Sequence, residues 1–181
     1  MKKIIAILLL TIGYCSVTTA QTSVTQTVSL TIVNSIAITF VSTGTSTGST
    51  VTIPFTTVSN YANGVASAAQ QLLVQSNRNF NVTVHCNTTS FTYSGSTSPS
   101  PTMPVSGVLA IKVSANTTGG SIASPFSSSA YATLTGTAQN LITSGTNGGN
   151  QGFSIIYNTT PGFAYPAGTY TTSVIYTATQ L

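Results

Sequence analysis

The sequence predicts an all-β protein, an antiparallel β-sandwich. Apolar residues recur every second position in many short stretches, the signature of strands with one apolar face. Clusters of Gly, Asn, Ser and Pro separate these stretches at turn-like spacing, a pattern that favours a sandwich. Helix signals are weak. GVASAAQQLL (64–73) could form a turn or two, but Gly and Ser support it poorly. A Ser/Thr bias runs throughout, with no fixed-period repeat.

The chain opens on a leader-like segment, residues 1–20. Lys2 and Lys3 precede the apolar run IIAILLLTIG, and Thr18 and Ala20 are small residues placed for cleavage before Gln21. The run is too short to span a membrane. Cys15 could mark a lipid-attachment site, but the bulky Tyr14 before it fits that poorly. Removing twenty of 181 residues leaves 161, enough for one domain with a real core. The expected organisation is a secretory signal peptide (1–20), an N-terminal strand (21–34) and a β-sandwich domain (35–181).

QTVSLTIVNSIAITF (26–40) is the longest alternating run. Val28, Leu30, Ile32, Ile36, Ile38 and Phe40 share one face, and Asn34 interrupts them. Val51, Ile53 and Phe55 alternate next, then LLVQS (72–76). In NFNVTVHC, Phe80, Val82, Val84 and Cys86 form a core face, with His85 outward. SFTYSG is a short strand, GSTSPSPTMP a proline-rich loop, and VLAIKVSA places Leu109, Ile111, Val113 and Ala115 inward. The stretch SSSAYATLTGTAQNLITSG suits helix or strand. GTNGGNQG (145–152) reads as a hairpin or wide turn. FSIIY (153–157) and TYTTSVIYTATQ (169–180) complete the strands.

Charge excludes whole classes of chemistry. There is no Asp or Glu, and past residue 20 only Arg78 and Lys112 remain of the four Lys and Arg. General acid–base catalysis draws mostly on carboxylates and His, and an acid-oriented triad or a paired-carboxylate glycosidase site cannot be assembled. His85 and Cys86 are neighbours on one strand and point to opposite faces, so they cannot form a dyad within the chain. One His and one Cys cannot fill a zinc shell, and calcium lacks its carboxylates. No enzyme activity, metal or cofactor is expected. A basic stripe for nucleic acid is missing. Cys86, alone after the leader, reads as a small buried hydrophobe, with an intermolecular disulfide as the alternative. Four Asn-x-Thr matches carry little weight in a chain so rich in Thr. With no side-chain carboxylate to protonate, acid is expected to change the fold little between about pH 2 and 7, His85 aside.

SNRNFNVTV, TMPVSGVLAIKV, FSIIYNTTPGFAYPAGTY and YTTSVIYTA resemble a broad group of secreted bacterial β-sandwich proteins, similar to spore-coat-U and fimbrial-type, pilin-like subunits. The shared signature is a C-terminal strand introduced by Ala-Gly-x-Tyr, here Ala167, Gly168 and Tyr170, continuing through Val174 and Tyr176. The resemblance covers most of 24–181. It implies an immunoglobulin-like sandwich at the cell surface or in a fibre. Many members carry Asp or Glu near the last strand. This chain has none, so an acid-dependent role does not transfer.

The leading functional expectation is a structural subunit of an extracellular filament, polymerising head to tail with copies of itself. Val24, Val28, Leu30 and Ile32 would be plugs donated to a neighbour, since an exposed sheet edge accepts an added strand. Edges are normally blunted by charge, and this chain has almost none. The same residues could instead form the first strand of a closed monomer. The alternative function is a monomeric cell-surface adhesin or carbohydrate-binding module using tyrosines and loops 94–107 or 145–152 on surface glycans. A Thr-rich ice-interacting face ranks lower, because no regular Thr-x-Thr ladder is visible.

Overall fold

The computed structural model describes residues 21–42, 44 and 46–181; the leader lies outside them. Val33–Leu181 form one compact unit, and residues 21–32 belong to a separate one. The fold is all-β, built from antiparallel sheets.

Among the described residues twelve strands follow in order: β1 (Ile36–Val41), β2 (Val65–Ala66), β3 (Gln70–Ser76), β4 (Phe80–Cys86), β5 (Thr92–Ser94), β6 (Leu109–Asn116), β7 (Ser121–Ile122), β8 (Ala132–Thr133), β9 (Gln139–Gly145), β10 (Gly148–Thr159), β11 (Thr169–Thr171) and β12 (Val174–Gln180). The first sheet runs β1-β3-β10-β6-β8, with β2 added on β10. The second runs β12-β4-β9-β7, and β11 pairs with β5 alone. The two larger sheets share one apolar core. Leu72, Val74, Ile111, Val113, Phe153 and Ile155 come from the first, and Phe80, Val82, Val84, Leu141 and Ile142 from the second. Alternation is the cause: β3 and β4 bury every second residue and leave the others half-buried or exposed.

Several expected boundaries move. The alternating run at 26–40 becomes a strand only from Ile36; residues 21–35 join no ladder. Val51, Ile53 and Phe55 are half-buried but form no strand. The helical turn falls at α1 (Val58–Asn63), ahead of 64–73, which supplies β2 and the start of β3. Thr57 and Asn60 make a capping box without an acid: Thr57 Oγ1 accepts from the Asn60 N–H, and Asn60 Oδ1 accepts from the Thr57 N–H at 3.0 Å. The ambiguous 127–145 stretch holds β8 and β9. Residues 145–152 are no hairpin, because β9 and β10 lie in different sheets and the chain crosses between them. TYTTSVIYTATQ splits at Thr172–Ser173, where β11 leaves for β5 while β12 stays on β4.

Gly145 shows how closely the core is packed. A Cβ there would stand 2.6 Å from Cζ of Phe80, whose ring is fully buried. Gly145→Ala must therefore displace the ring. We expect a loss of about 1–3 kcal/mol, read as a lower urea midpoint at unchanged slope. A neutral result would show that the ring has room to move.

Candidate functional site

Two strands break the burial rule that the rest obey. β12 alternates as strictly as β3 and β4, and β1 does so over Ile36–Thr39, with Phe40 exposed and Val41 half-buried beyond; in neither strand is an inward residue fully buried. Ile36, Ile38, Val174, Tyr176 and Ala178 are only partly covered, though they pack against the core. Each strand has a ladder partner on one side alone: β3 for β1, β4 for β12. They are the neighbouring edges of the two sheets, and no ladder joins them.

Side chains bridge this seam at two levels. At one end the Gln180 side-chain amide donates to Ser35 O (2.9 Å), Asn77 Oδ1 (3.0 Å) and Ser76 Oγ (3.1 Å). Further along, the Phe40 ring meets Tyr176 edge-on at 6.1 Å. The Tyr176 hydroxyl reaches inward to Tyr157 Oη at 3.0 Å, so its polar end is satisfied while the ring lines the seam. β1 and β12 thus run in opposite directions, with Ser35 near Gln180 and Phe40 near Tyr176.

Asn77 fixes how the chain enters β1. Its Oδ1 accepts from the Ser35 N–H (2.9 Å), its Nδ2 donates to Val33 O (2.7 Å), and its backbone N–H donates to Ser35 O (3.2 Å). A side-chain amide thereby imitates the next residue of a ladder partner and holds Val33–Ser35 in line with β1.

The N-terminal segment carries apolar side chains without a partner. Val24 is 98 % exposed, Val28 86 %, Leu30 83 % and Ile32 75 %. Val33, of the opposite parity, is 73 % exposed as well.

The other expected site residues fall into two groups. Phe80, Val82, Val84 and Cys86 are buried along β4. Ala167 and Gly168 precede β11, which carries Tyr170, while Val174 and Tyr176 lie on β12. Tyr93 donates from its hydroxyl to Ala167 O (3.0 Å) and packs on Tyr170 at 5.0 Å. A Cβ at Gly168 would run into the Tyr93 ring, so the Ala-Gly-x-Tyr motif needs glycine there. His85, on the outward face of β4, is half-buried, and its Nδ1 is buried without a hydrogen-bond partner among the described residues. The Gln180 and Asn77 bridges escaped sequence reading, because isolated amides carry no periodic signal. Among the described residues no group of three or more His, Cys, Asp or Glu could hold a metal, and no helix is long and apolar enough to cross a membrane. Comparison with protein-family models and with curated proteins finds no match.

Burial sets the titration of the inner groups. It raises Cys86 from 9.0 to about 11. It raises Tyr157 from 10.0 to about 12, against a lowering by the bond from Tyr176. Tyr176 rises well above 10.0, chiefly through burial. The folded state therefore holds these protons more tightly than the unfolded chain. Their stabilisation is complete below the unfolded values and is lost as pH climbs through the folded ones. We expect a melting temperature nearly constant from about pH 3 to 8 and falling between about pH 9 and 12. Circular dichroism melts check this. A cooperative acid transition would contradict it.

Proposed function

We propose that the chain is a structural subunit of an extracellular filament, in which residues 24–32 of one copy complete the sheets of the next. In this reading the two sheets are an immunoglobulin-like sandwich that lacks one strand, and the seam between β1 and β12 receives it. The supporting observation is complementarity. A seam whose inward residues stay half-covered occurs in a chain whose N-terminal segment exposes a matching apolar row. Strand addition gives main-chain hydrogen bonds for affinity and alternate side chains for specificity. The contact is heterologous, so it propagates head to tail instead of closing a dimer. With no acids and only two basic residues past the leader, stacked subunits repel one another little. Secretion by a cleaved leader fits this role, and the reading needs neither catalysis nor a cofactor.

A second reading, a monomeric glycan-binding module, draws on one feature. Phe163 is 67 % exposed and stacks on Tyr61 at 5.7 Å, a surface that could meet the apolar face of a sugar. It leaves the exposed N-terminal row without a role, so we rank it second.

Leu30→Asp tests the main reading. A buried, unpaired carboxylate in the seam costs several kcal/mol, so polymers should vanish in negative-stain micrographs. The monomer should keep its circular dichroism spectrum and still melt cooperatively, at a lower temperature than the assembled protein. Unfolding of the Leu30→Asp monomer would instead show that the segment serves its own domain.

A further inference from the structure

A small open cleft shares no lining residue with the seam or with the Phe163–Tyr61 surface. It measures about 330 Å³ and is lined by Thr89, Val105, Ser106, Thr135, Gly136 and Thr137. Three connections build it: the one after β4, the one before β6, and the turn by which the chain passes from β8 in the first sheet to β9 in the second. Main-chain bonds fix its walls. Val105 N–H donates to Thr89 O (2.9 Å), and Cys86 N–H donates to Thr135 O (2.8 Å). Within the turn, Thr135 Oγ1 accepts from the Thr137 N–H (3.2 Å) and donates to Thr137 O (3.1 Å). The walls are therefore set before any ligand arrives, which spares the cost of ordering them on binding. The cleft lies wholly within the compact unit, so it is present in a monomer and in a polymer alike.

Gly136 keeps this cleft open. Gly64 and Gly119 are required by a left-handed φ, and Gly145 by the Phe80 ring. Gly136 has no positive φ. A Cβ there would meet Thr89 Cγ2 at 3.4 Å, an ordinary contact that joins one wall to the other. The fold tolerates a side chain at this position; the cleft does not. Its chemistry is specific as well. Val105 is fully buried and supplies an apolar base. Thr89, Ser106 and Thr137 are exposed, and their side-chain hydroxyls make no hydrogen bond among the described residues. Each hydroxyl can both donate and accept. Neither Arg78 nor Lys112 lines the cleft, and the chain has no acid. Uncharged walls with two-way hydrogen-bonding groups over an apolar base match a neutral sugar ring, which offers hydroxyls at its rim and C–H groups on its faces. The volume stands at the lower end of small-ligand clefts, about 300–1,000 Å³, and so suits a single ring. We propose that this cleft binds one ring of a neutral sugar, with Thr89, Ser106 and Thr137 as hydrogen-bond partners and Gly136 as the residue that admits it.

Saturation-transfer NMR of the full chain tests the site, with glucose, galactose, mannose and N-acetylglucosamine each titrated to about 100 mM. One ring contributes few atoms, so a Kd in the millimolar range is expected for at least one of the four. Gly136→Val should abolish the signal, and Thr137→Val and Ser106→Ala should each weaken binding several-fold. Without sugar, all three variants should keep the circular dichroism spectrum and melting temperature of the parent. If Gly136→Val does not fold, Gly136→Ala takes its place, with a loss of about tenfold expected. Failure of all four sugars to bind would overturn the proposal. So would binding that survives the Gly136 variant, or that is unchanged in both Thr137→Val and Ser106→Ala. Surviving binding that is lost in Phe163→Ala would move the sugar to the Tyr61 surface. None of these results depends on polymerisation, so the filament reading stands or falls separately.

Discussion

The unpaired edge of β12 is the constraint on which the rest of this structure depends. A strand in a sheet interior satisfies its backbone groups on both sides, and its inward side chains are covered from both flanks. β12 has β4 on one side only. Its even residues therefore present unpaired backbone and half-covered apolar side chains along the same line. β1 repeats the condition on the other sheet, with β3 as its single ladder partner. Two deficient edges meet at one seam, and the bridges across it come from side chains, not from a ladder. Proteins usually guard such edges with lysine, proline or a bulge. Here neither β1 nor β12 contains any of these.

That deficiency gives coherence to features that would otherwise be unrelated. The Asn77 amide holds Val33–Ser35 in line as the chain enters β1. The Gln180 amide pins the sheets together at the end where that segment begins. The Tyr157–Tyr176 pair buries two hydroxyls against each other, which leaves the Tyr176 ring able to line the seam without stranding a polar atom. The missing acids belong to the same account. On the proposed filament reading, a seam that accepts an apolar strand would gain nothing from charge, and neither would a surface that stacks on its own copies.

Sequence periodicity revealed the all-β class and the core strands, since alternation at Phe80, Val82 and Val84 reports one buried face directly. It could not separate β12 from β4, because both alternate equally well. What differs is whether a neighbour covers the inward side chains, and that is a property of sheet order. The segment at 26–32 was misleading for the same reason. Its pattern is that of a strand, but a strand needs a partner, and among the described residues none pairs with it. Residues 170–180 looked continuous because period two survives the break at Thr172–Ser173. The change of partner there from β5 to β4 has no compositional signal. The bridges of Asn77 and Gln180 join residues more than forty positions apart, beyond the reach of any local pattern.

The central claim is that the compact unit lacks a strand which residues 24–32 supply from another copy. The most direct measurement is a thermal melt of a chain beginning at Val33, with and without a synthetic peptide of residues 22–34. Binding to the folded state raises the melting temperature in proportion to the logarithm of ligand concentration. The account predicts a chain less stable than the assembled protein, stabilised progressively by the peptide but not by the same peptide carrying Leu30→Asp. A shortened chain as stable as the assembled protein and indifferent to the peptide would contradict it, because the sheets would then already be complete.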